Sequence, residues 1–72
     1  MREKINQVKV KLMLHHLKYD WLIDQFEKDE IPLTKTECSD IFNGRRTTEK
    51  ARMVVDKSLE YLAKYERLFA NA

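Results

Sequence analysis

Along the first third of the chain, Ile5, Val8, Leu12, His15, Tyr19, Leu22 and Phe26 recur at alternating spacings of three and four. That is the seam of a helix packed along one face, and it predicts a single long helix over about residues 3–29. The Glu30-Ile31-Pro32 stretch ends it, because proline disfavours helix in the residue before it. Thr34 and Glu37 then have the spacing of a capping box, with Leu33 and Cys38 placed for a hydrophobic staple. They predict a short helix over about 35–43, closed by Asn43-Gly44, where glycine takes the left-handed cap conformation. A last helix over about 48–70 starts at Thr47 or Thr48. Its seam is Ala51, Val55, Ser58, Leu62, Tyr65 and Phe69, broadened by Val54, Leu59, Tyr61 and Leu68.

The first helix keeps apolar residues after its seam is removed. At about 100° per residue, Val10, Met13, Leu14, Leu17 and Trp21 cluster on nearly the opposite face. A helix with two apolar faces needs two partners. Either the short helix folds over the second face, or another chain covers it. The second alternative makes these five residues a contact surface, with Trp21 and Met13 as anchors and Lys11, Lys18 and Asp24 setting orientation.

Composition supports long helices: one glycine and one proline, with 36% of residues charged. At 72 residues the chain makes one small domain, residues 1–72, whose core seldom supplies more than about 3–5 kcal/mol. A lone cysteine, Cys38, allows no intrachain disulfide and points to a reducing cytoplasm. With no staple of that kind, dimerisation is the remaining common route to stability. No apolar run is long enough to span a bilayer and the N-terminus lacks a secretory signal. The formal net charge of +2 is uneven: +4 over residues 1–18, −5 over 19–42 and +3 over 43–72.

Enzyme chemistry is not expected. His15 and His16 point about 100° apart on a helix and share no metal-ligand spacing with Cys38. His15 on the seam reads as a hydrogen-bonded core histidine, and Cys38 as a small buried apolar residue. No nucleophile-base constellation, phosphate loop or zinc-binding helix motif occurs. No cofactor, metal or small-molecule substrate is therefore implied. The bases Arg45, Arg46, Lys50 and Arg52 precede and open the last helix, where backbone N–H groups also favour phosphate. Residues 34–59 can thus be read as a helix-turn-helix for DNA. Glu49, Asp56 and Glu60 share the recognition helix of that reading, and Glu37 and Asp40 sit on the preceding one.

The order of Ile31-Pro32-Leu33-Thr34-Lys35-Thr36, the polar Asn43-Gly44-Arg45-Arg46-Thr47-Thr48 link and a long helix from Glu49 to Leu68 carries a resemblance. It resembles the N-terminal part of small phage and mobile-element transcriptional regulators of the ArpU and RinA kind. In them a similar helix, here Val55-Asp56-Lys57-Ser58-Leu59-Glu60-Tyr61-Leu62, precedes a sigma-factor-like DNA-reading module. The likeness spans residues 8–68 and is one of pattern. It implies the helical association portion without that module, working as a modulator paired with a regulator or another protein.

These observations lead to an all-α, antiparallel helical hairpin of two long helices with a short helix in the connection, completed as a dimeric bundle. The expected function is a small protein-binding module that alters transcription through a protein partner or through self-association. The alternative is a small helix-turn-helix DNA-binding protein, a transcriptional regulator or of excisionase kind.

Overall fold

The computed structural model describes residues 2–70, with side chains for residues 2–68. The described residues form four helices: α1 (Arg2–Leu14), α2 (Tyr19–Lys28), α3 (Lys35–Phe42) and α4 (Glu49–Ala70). The all-helical expectation holds. The single helix expected over 3–29 is instead two, broken at residues 15–18.

The break has a specific geometry. His16 adopts a left-handed backbone at φ 57°. Leu17 N–H donates to the Leu12 carbonyl at 2.8 Å, and His16 N–H donates to the Met13 carbonyl at 3.1 Å. This pair of bonds is the Schellman cap, which satisfies carbonyls that a helix end leaves open. The same cap recurs twice more. Glu30 (φ 60°) closes α2 through Ile31 N–H to the Phe26 carbonyl, and Gly44 (φ 76°) closes α3 through Arg45 N–H to the Asp40 carbonyl.

The reversal at His16 changes the architecture. Lys4 pairs with Asp56 and Lys11 with Glu66, so α1 and α4 run in the same direction. Trp21 meets Tyr65 and Phe26 meets Tyr61, so α2 runs back against α4. The expected antiparallel hairpin of two long helices is therefore corrected. The antiparallel partner of α4 is α2, and α1 returns alongside α4 only because the chain has already turned once.

Local signals elsewhere act as read. The Thr34 side chain accepts from Glu37 N–H at 3.1 Å and the Glu37 carboxylate faces Thr34 N–H in return, with Leu33 and Cys38 buried beneath. Thr48 caps α4 by accepting from Ala51 N–H at 3.2 Å. Ile5, Val8, Leu12, Leu22 and Phe26 are buried with Ile41, Phe42, Ala51, Val54, Val55 and Leu62 in one core. A side chain of Leu or Phe size gains roughly 1.5–3 kcal/mol on burial. Ser58 sits in this core at 0% exposure, its hydroxyl donating to the Val54 carbonyl at 2.7 Å. One seam assignment changes. Leu68 is 73% exposed and does not broaden the α4 seam. Phe69, expected to close that seam, lies outside the described side chains.

Candidate functional site

The face opposite α1's buried seam carries Val10, Met13 and Leu14, which are 61%, 76% and 67% exposed. They occupy the last two turns of α1, close in helical angle. α3 packs against α2 and α4, and these three side chains stay in water. Isolated exposed apolar residues are ordinary. Three large ones adjoining on one short surface, beside a filled core, form a patch of the kind used for association.

The other two residues of the expected contact surface are placed differently. Leu17 follows the left-handed His16 and packs partly against the core. It still borders Met13, since both line a shallow groove with Lys9, Leu12, Lys18 and Tyr19. Trp21 has turned inward, its indole edge-on to Tyr65 with ring centroids 5.5 Å apart. An unbroken helix would have aligned all five. The turn at residues 15–18 instead leaves Val10, Met13 and Leu14 exposed, Leu17 at the groove and Trp21 against the core. Spacing put Tyr19 on the seam, and the bend brings it to the groove beside Leu17, while Lys9 adjoins Met13 one turn away on α1.

At the end of α1, His15 bridges to α4. Its Nε2 lies 3.2 Å from Glu66 Oε2, and its ring packs edge-on against Tyr65. The histidine read from the seam as a hydrogen-bonded core residue is hydrogen-bonded, but it sits partly exposed at the edge of the core. Lys11 Nζ donates to Glu66 Oε1 at 2.5 Å. Hydrogen bonds first from Lys11 and then from His15 hold the Glu66 carboxyl below the ordinary glutamate range. On α2, Asp24 is exposed. Burial pushes the Cys38 thiol up to about 12. Tyr61, whose hydroxyl donates to Asp29, is likewise raised to about 12, by burial first and this hydrogen bond second.

The basic cluster is largely engaged within the chain. Arg45 and Arg46 both face Asp40, at 3.7 and 3.3 Å, and Lys50 donates to Glu37 at 2.9 Å. Arg52 lies one helical turn along α4, beside Lys4 and Asp56. The Lys50 hydrogen bond, ahead of the backbone bond from Thr34, keeps Glu37 below its usual range. The α3 acids Glu37 and Asp40 therefore already face three of the four bases.

Among the described residues, no three His, Cys, Asp or Glu side chains converge as a metal site. No helix among them is long and apolar enough to cross a membrane. Comparison with protein-family models, characterised proteins and solved structures gave no match.

Proposed function

We propose that this protein is a small binding module that docks a protein partner by helix-helix association through the outer face of α1. Val10, Met13 and Leu14 form the centre of the contact, and Leu17 extends it into the groove. The observation that carries this reading is the exposure of three large apolar side chains on a helix whose opposite face already fills the core. Burying such surface gains about 25 cal/mol per Å² before the costs of association. The resemblance to phage and mobile-element regulators extends the proposal to transcription: the partner is a regulator, or another protein that a modulator of this size would engage in the cytoplasm.

Leu14→Glu tests the contact. Leu14 is mostly exposed, so the variant should fold with parental helicity while losing partner capture from native lysate. An unchanged set of captured proteins and an unchanged mass by light scattering would remove the outer face as an interface.

Direct DNA binding through Arg45, Arg46, Lys50 and Arg52 is the second reading. Their position ahead of and within the first turns of α4 favours it. Glu37 and Asp40 weigh against it, because binding phosphate would require breaking three ion pairs. Duplex binding that falls steeply with salt would restore it.

A further inference from the structure

We infer that the occupant of the α1 face is an acidic amphipathic helix and not a second copy of this chain. This rests on the reading of α1 as a docking face and adds the chemistry of what docks.

Around the exposed face, both borders of α1 are basic. Arg2 and Lys9 lie along one edge and Lys4 and Lys11 along the other, with Glu3 the one acid of the helix. Lys18 stands exposed just past the turn and lines the same groove as Lys9. Lys4 and Lys11 are already held by Asp56 and Glu66 of α4. Lys9 is not neutralised in this way: it reaches a neutral amide oxygen, Asn43 Oδ1, at 3.5 Å. The groove is thus lined by apolar Leu12, Met13 and Leu17, by Tyr19, and by two lysines, Lys9 and Lys18.

Symmetry decides between the occupants. In a two-fold dimer the same patch meets itself. If two α1 helices pair antiparallel, the Lys9 edge faces its own copy. If they pair in parallel, the Lys9 edge faces the Lys11 edge. The first sets Lys9 against its own copy, and like charges so juxtaposed oppose association; the second faces Lys9 with an edge whose acids, Asp56 and Glu66, are already taken by Lys4 and Lys11. A foreign helix with apolar residues at i, i+3 or i+4 and i+7 fills the same strip. Acidic residues along its borders then complement Lys9 and Lys18. A flat anionic bilayer fits less well, because the apolar part is short and lies beside a concave groove, while Glu3, Asn6 and Gln7 continue the face as polar residues.

A selection on the full chain tests this. The probe is a display library of sixteen-residue helical peptides (length of about four turns) with leucine fixed on one face. Their border positions are randomised among Asp, Glu, Lys, Arg and Ser. Acidic borders should dominate the binders. Synthesised winners should bind at least about tenfold tighter than their lysine-bordered versions, a difference of about 1.4 kcal/mol. Lys9→Glu with Lys18→Glu should reverse that order while circular dichroism stays parental, and Leu14→Glu should abolish binding of either kind. Winners with neutral or basic borders, still lost in Leu14→Glu, would overturn the acidic partner and leave the docking face standing. A concentration-dependent dimer dissociated by Leu14→Glu would do the same in favour of a second copy. Failure to enrich any peptide would overturn both, as would Leu14-dependent binding confined to phosphatidylglycerol vesicles.

Discussion

The first and last corners of the molecule solve one problem with different residues. At the first, between α1 and α2, His16 supplies the left-handed backbone, and Leu12 and Leu17 flank the cap. At the last, between α3 and α4, Gly44 supplies it, and the flanking positions are Asp40 and Arg45. The first corner is held by apolar packing that overrides an unfavourable backbone. The last has a favourable backbone with ion pairs on the surface. A left-handed L-residue costs about 1–2 kcal/mol, so the first corner persists only because core burial exceeds that cost. Chain reversal is therefore specified by packing at one end of the core and by local residue chemistry at the other.

The largest test of this contrast is truncation at the equivalent cap position. Leu12→Ala removes a buried side chain and should cost about 2–5 kcal/mol. That is comparable to the whole stability expected of so small a core, so the variant should be unfolded or nearly so in urea titrations followed by circular dichroism. Asp40→Ala should cost less than about 1 kcal/mol, as exposed ion pairs do. Similar losses for the two would mean that both corners are held by the same force.

A smaller effect comes from exchanging the backbone preferences. Gly44→Ala should destabilise by about 1 kcal/mol through φ alone, since an added Cβ there meets nothing within 4 Å. His16→Gly should raise the melting temperature, because glycine relieves the left-handed strain. A gain of up to about 1 kcal/mol is expected, less the glycine's extra freedom when unfolded. A lower melting temperature for His16→Gly would show that the imidazole itself holds the corner.

The smallest effect is electrostatic and concerns pH. Glu66 at the first corner and Glu37 at the last are both held below the ordinary glutamate range by lysine hydrogen bonds. Carboxyls depressed on folding add stability that is present above the unfolded value, about 4.3, and fades as pH falls through the folded one. Melting midpoints of the parent and of Glu66→Gln or Glu37→Gln should therefore differ at neutral pH and converge in acid. A gap that persists in acid would assign the difference to shape, not charge.

The same contrast explains what was legible in the sequence. Thr34, Glu37, Gly44 and Thr48 act within a few residues of themselves, so α3 and the starts and stops around it could be read directly. The first corner carries no such marker. Lys18 precedes α2 without a side-chain cap, and neither glycine nor proline occurs between Leu14 and Tyr19. The three-and-four spacing runs through His15 and Tyr19 as if the helix continued, because both segments bury the same side of the chain. Ile5, Val8, Leu12, Leu22 and Phe26 were thus placed correctly in the core within the wrong topology. The outer face was affected similarly. Val10, Met13 and Leu14 precede the turn and lie where periodicity put them, whereas Trp21 follows it and was carried inward.

Because α1 lies alongside α4, Lys4 waits for Asp56 and Lys11 for Glu66, partners 52 and 55 positions away. Distant closure is slow compared with the formation of helices and tight turns. The buried side of α1 therefore lacks its main cover until α4, its principal packing partner, has folded against it.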